Sequence, residues 1–158
     1  MNKLLVWSFA IMMSCANTPS PTSQKSQSMQ TSAEILVSES QGGTERPGFV
    51  ILKNEQEFQK AVQGGNFTIA EAGKEQAVDY PDFPKNKKVI LYNMGEFRSG
   101  DHRIAEIKSI SVKNNILYVE VPPYVSGGME IQVISKPWII FAVPSDYQFN
   151  SVELKYSK

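Results

Sequence analysis

Few side chains in this sequence can do covalent or metal chemistry. It holds one cysteine, Cys15, and one histidine, His102. Nucleophilic catalysis needs a base beside the nucleophile, so His102 is the only imidazole that can serve. A serine paired with it is formally open, but the nucleophile-elbow pattern G-x-S-x-G is missing. Zinc takes three or four Cys, His or carboxylate ligands, a set that one Cys and one His leave short. The pairs Gly42-Gly43, Gly64-Gly65 and Gly127-Gly128 lack the spacing and the lysine of a phosphate loop and read as turns. Asp79 and Asp82 flank Tyr80-Pro81 and can approach a calcium ion, though solvated loop charges explain them more simply. The expectation is a chain with no catalytic residue, no metal ligand and no cofactor.

The single thiol needs another explanation. A disulfide takes two cysteines, and an unpaired one in an exported chain is a reactive liability. Lys3 precedes an apolar run, residues 4–13, that is shorter than the ~20 residues a spanning helix needs and suits a signal peptide. At its end Met12-Met13-Ser14-Cys15 places the cysteine after a small residue, which resembles the lipobox of bacterial lipoproteins. That resemblance implies removal of residues 1–14 and acylation of Cys15, so that the protein is anchored to a membrane through lipid without crossing it. An ordinary secretory signal with an incidental cysteine is the alternative. Ala16-Asn17-Thr18-Pro19-Ser20 carries no acid, which favours a chain facing the periplasm.

Residues 15–32 are almost all Ser, Thr, Gln and Pro and bury too little apolar surface to offset their ordering entropy, so a flexible tether is expected. Residues 33–158 are of single-domain size. The chain has 16 basic and 16 acidic side chains, and loss of Lys3 with the signal leaves one acid in excess. That balance gives no basic surface for nucleic acid and no polybasic patch for anionic lipid.

The elements that must position any site are mostly β. Asn54 as a cap, Glu57 three residues on and Gly64 as a stop frame a short helix, with Phe58, Ala61 and Val62 on one face. Residues 49–52 before it form a short apolar run that suits a buried strand, and residues 65–86 read as loop. Further strands are expected at 88–93, 116–121, 129–135, 138–143 and 152–156, with Asn114-Asn115 turning the hairpin before 116. The run 138–143 is apolar on both faces, which places Trp138 in the core of a strand covered on two sides. Short connections favour antiparallel pairing. The expected fold is α+β: an antiparallel β-sheet with one short helix packed on it, preceded by the signal peptide and disordered tether.

Between two β segments lies Gly95-Glu96-Phe97-Arg98-Ser99-Gly100-Asp101-His102-Arg103, a charged loop punctuated by glycine. Loops on rigid scaffolds carry recognition, which makes Arg98, Ser99, Gly100, Asp101 and His102 the candidate partner-binding residues. Phe97, an aromatic among charges, is expected to fold back onto the core. Arg98 and His102 are expected at the surface, where replacement by alanine leaves folding nearly intact.

The order of residues now resembles a known family. Asp82-Phe83, the stretch from Lys88 through Gly95-Glu96, Arg98-Ser99-Gly100-Asp101-His102-Arg103-Ile104, an Ile-rich strand, and Gln132-Val133-Ile134-Ser135-Lys136-Pro137-Trp138 leading to Pro144 are similar to the carboxy-terminal domain of the PrcB family. Members are exported lipoproteins named for a subunit of a cell-surface protease complex. The resemblance covers residues 82–144. It departs after the Gly-Glu pair, where Ser99-Gly100-Asp101-His102 stands in place of the family's common Thr-Gly-Gly-Tyr. What it implies is a noncatalytic cell-envelope protein that acts as a protein-interaction or protease-complex accessory domain. An envelope lipoprotein with an unrelated ligand-binding or structural role, or a chagasin-like protease inhibitor, are the competing readings.

Overall fold

The computed structural model describes residues 33–65, 80–125 and 132–158. The expected signal peptide, tether and Cys15, together with Asp79 and Gly127-Gly128, lie outside the described residues. Among the described residues seven strands and one helix follow in the order β1 (Glu34–Glu39), β2 (Gly48–Leu52), α1 (Glu55–Gly65), β3 (Lys87–Asn93), β4 (Ser109–Lys113), β5 (Ile116–Val121), β6 (Trp138–Pro144) and β7 (Ser151–Tyr156). The fold is α+β, as the sequence pattern predicts.

The helix forms where its signals lie. Asn54 Oδ1 accepts the Glu57 amide at 2.9 Å, while the Glu57 carboxylate reaches back to accept the Lys53 amide at 2.9 Å, so two otherwise orphaned donors are satisfied. Phe58 and Val62 are fully buried and Ala61 packs beside them. Phe83 meets Phe58 edge to face, with ring centroids 6.1 Å apart, and its amide donates to the Glu55 carboxylate.

The strands divide between two sheets rather than the one expected. The first has the order β1-β6-β3-β2 and is antiparallel throughout; the second has the order β4-β5-β7. Side chains alternate across β6. Trp138, Ile140 and Ala142 join Phe58, Val62 and Val89 under the helix, whereas Ile139, Phe141 and Val143 face Ile110, Leu117, Val119 and Val152 of the second sheet. The result is three layers, helix on sheet on sheet, with β6 covered on both faces as its composition demands.

The last strand is a second departure. β7 runs parallel to β5, pairing Ile116 with Ser151 through Val121 with Tyr156. Its alternating pattern fits only a sheet with one wet face, so after β6 the chain must return to the second sheet. It re-enters beside the start of β5, where the amides of Asn150 and Ser151 donate to the Asn115 carbonyl, and that entry point fixes the parallel direction. The hairpin turn itself is as expected, with Asn114 and Asn115 at φ of 53° and 60°.

Two local expectations are corrected. β1 is not expected from the sequence pattern, because Leu36, an extra residue at a bulge between Ile35 and Val37, breaks its alternation. In the strand expected at 129–135, residues 132–134 belong to no strand, and Ser135 makes only one bridge, to Phe97. Val133 and Ile134 are exposed there, so their β-forming side chains have no sheet to pack on.

Candidate functional site

The 95–103 loop leaves β3 through Gly95, whose φ of +92° suits glycine alone, and a Cβ there would approach the Pro47 ring to 3.0 Å. Phe97 then pairs with Ser135 through two backbone hydrogen bonds of 2.8 and 2.9 Å, and its ring packs onto the inter-sheet core. It folds back, as expected. Arg98 follows and is exposed, in no ion pair among the described residues. Gly100 turns the chain at a φ of +79°, and the exposed Asp101 accepts the Arg103 amide at 3.0 Å, a local turn of the kind Asp favours.

His102 is placed differently from the expectation. Its ring lies between Phe97, centroids 3.9 Å apart at 20°, and Tyr124, 4.1 Å apart at 27°. Nε2 sits 2.9 Å from the Ser99 carbonyl, which can only accept, so Nε2 carries the proton of that bond. Nδ1 is buried and has no hydrogen-bond partner among the described residues. The imidazole is thus a half-buried wedge that joins the loop to the end of β5. Among the described residues neither nitrogen meets a serine hydroxyl. Sequence reasoning missed Tyr124 and Ser135 as parts of this site. The available signal was Pro122-Pro123, which cannot extend a ladder and so release Tyr124 from the sheet.

The correction changes the expected effect of mutation. His102→Ala removes two ring contacts, each worth about 0.5–1.5 kcal/mol, and a hydrogen bond of similar worth, so a loss of about 1.5–4.5 kcal/mol is expected. Thermal melts of His102→Phe and His102→Gln separate the two contributions. The phenylalanine variant keeps the stacked faces and should melt closer to wild type; glutamine melting higher than phenylalanine would show that the Ser99 bond, not the stack, holds the loop.

A cleft of about 280 Å³ opens beside the wedge, between the 101–106 segment and the end of β5, with Tyr156 in its wall. Burial raises the Tyr156 phenol above its ordinary pKa, and the nearby Tyr92 adds to the rise. Burial likewise raises Tyr92, against the lowering pull of the Leu154 backbone and with a further rise from Glu153. Both phenols therefore stay neutral at physiological pH.

Asp82 is exposed, and among the described residues no group of three or more His, Cys, Asp or Glu side chains could hold a metal ion. No helix among those residues is long and apolar enough to cross a membrane. Comparison with family profiles, with curated proteins and with solved structures finds no match to this chain.

Proposed function

We propose that this is a noncatalytic lipoprotein of the bacterial cell envelope, anchored through Cys15 and facing the periplasm, whose folded domain binds another envelope protein as an accessory subunit. The PrcB resemblance of residues 82–144 makes an envelope protease the leading partner. The observation that carries the reading is the ring stack. It engages the only histidine in holding a loop, not in a nucleophile–base pair, and leaves Arg98 and Asp101 exposed on that loop. A loop ordered before it meets its partner loses less entropy on binding, which is how a recognition surface gains affinity.

Affinity purification from the native envelope tests this. The full wild-type chain should recover a partner, and Arg98→Ala should fail to recover it while melting within about 0.5 kcal/mol of wild type, as exposed changes usually do. Recovery by Arg98→Ala at the wild-type level would move the binding surface away from the loop.

A further inference from the structure

The two sheets have four edge strands, β1 and β2 in the first and β4 and β7 in the second. An edge offers unpaired main chain to any other strand, and proteins blunt it with charges, bulges or a covering group. Three of these edges are blunted. β1 carries Glu34, Glu39 and a bulge after Ile35, and β4 ends in Lys113. β7 carries Glu153 and Lys155, and its Leu154 backbone already meets the Tyr92 hydroxyl. β2 has none of these devices. Gly48-Phe49-Val50-Ile51-Leu52 holds no charge and no proline, and it pairs with β3 without a bulge.

The register fixes which of its main-chain groups are free. The Met94 amide donates to the Pro137 carbonyl, one step beyond the pair Asn93–Trp138, so Met94 and, by alternation, Tyr92 and Ile90 bond to β6. Asn93, Leu91 and Val89 then bond to β2, where their partners are Gly48, Val50 and Leu52. That leaves the N–H and C=O groups of Phe49 and Ile51 directed out of the sheet edge, with no hydrogen-bond partner among the described residues. Val50 between them is 53 % exposed.

We infer that β2 pairs antiparallel with β2 of a second copy of this chain, about a two-fold axis at Val50, joining two four-stranded sheets into one. The strand is its own complement. Centred on Val50, the pairing sets Phe49 opposite the second copy's Ile51 and Ile51 opposite its Phe49, so the residues whose main chain is free bond to each other. Val50 meets Val50 on the axis and is covered there. Gly48 falls opposite Leu52, and nothing lies within 4 Å of where a Gly48 Cβ would stand, so the added strand has room. Charges agree as well. Carried past the strand ends, the register puts Lys53 opposite the uncharged Pro47, and Arg46 opposite Asn54, beside Glu55. Arg46 and Glu55 are exposed and in no ion pair among the described residues. The chain before residue 33 joins the domain at β1, the opposite edge of the sheet, so attachment there is compatible with pairing at β2. The inference goes beyond the accessory-subunit reading and does not depend on it.

A disulfide trap on the purified full chain tests it. Facing residues that exchange no hydrogen bonds in an antiparallel pair have Cα atoms about 4.5 Å apart, within the span of a disulfide. Val50→Cys should therefore oxidise to a dimer about tenfold or more faster than Val133→Cys, whose thiol, at a similarly exposed position, meets another only by collision. Wild type, with Cys15 alone, gives the background. Adding Ile51→Pro to Val50→Cys deletes an outward N–H, a change that edge strands tolerate, and should cancel the advantage while a thermal melt still shows a folded domain. Linking by Val50→Cys no faster than by Val133→Cys would overturn the inference. So would oxidation of envelope membranes that links Val50→Cys to a different protein and gives no adduct of twice the chain's mass.

Discussion

Replacing Trp138 by alanine is expected to lower the melting midpoint by roughly 10–20 °C, the equivalent of about 3–5 kcal/mol for truncating a buried tryptophan in a domain of this size. Trp138 is 3 % exposed at the start of β6, in the core cluster that includes Phe58, Val62, Val89 and Ile140. Its indole Nε1 also donates to the Gln41 carbonyl at 2.7 Å, tying the loop after β1 to the central strand. Alanine therefore opens a cavity between helix and sheet and leaves that carbonyl without its donor. The same strand holds the sheet together, since β6 pairs with both β1 and β3. Trp138→Phe keeps most of the ring and should lose less than half as much. If Trp138→Ala melts within about 2 °C of wild type, the helix is not packed over β6 as described.

That burial was legible because β6 is apolar at every position, which only a strand covered on both faces tolerates. The helix and the Asn114–Asn115 turn were legible for a similar reason: a cap, a carboxylate three residues on and two asparagines at positive φ are local signals with local causes. The division into two sheets was not. It depends on which strand faces meet, and Val152 reads the same whether its neighbour runs parallel or antiparallel. The site was half legible. The glycines and charges of the 95–103 loop marked it, but the stack joins Phe97, His102 and Tyr124 across more than two dozen residues, and no periodicity in sequence encodes a contact of that range. His102 consequently reads as a surface contact in sequence and is a wedge in the fold.

The remaining large effect concerns where the protein works. A single acyl chain gives only marginal membrane binding, and stable attachment takes two or more hydrophobic signals, which lipoprotein processing of Cys15 would supply. With the thiol gone, residues 4–13 are too short for the ~20 residues a spanning helix needs, so no comparable anchor replaces it. Cys15→Ala should then accumulate as unprocessed or soluble precursor. Since the domain is proposed to act on an envelope partner from a lipid tether, metabolic labelling with a palmitate analogue tests that claim most directly. The full wild-type chain should carry the label and Cys15→Ala should carry none; label retained in Cys15→Ala, or absent from wild type, would contradict the tethered envelope protein proposed here.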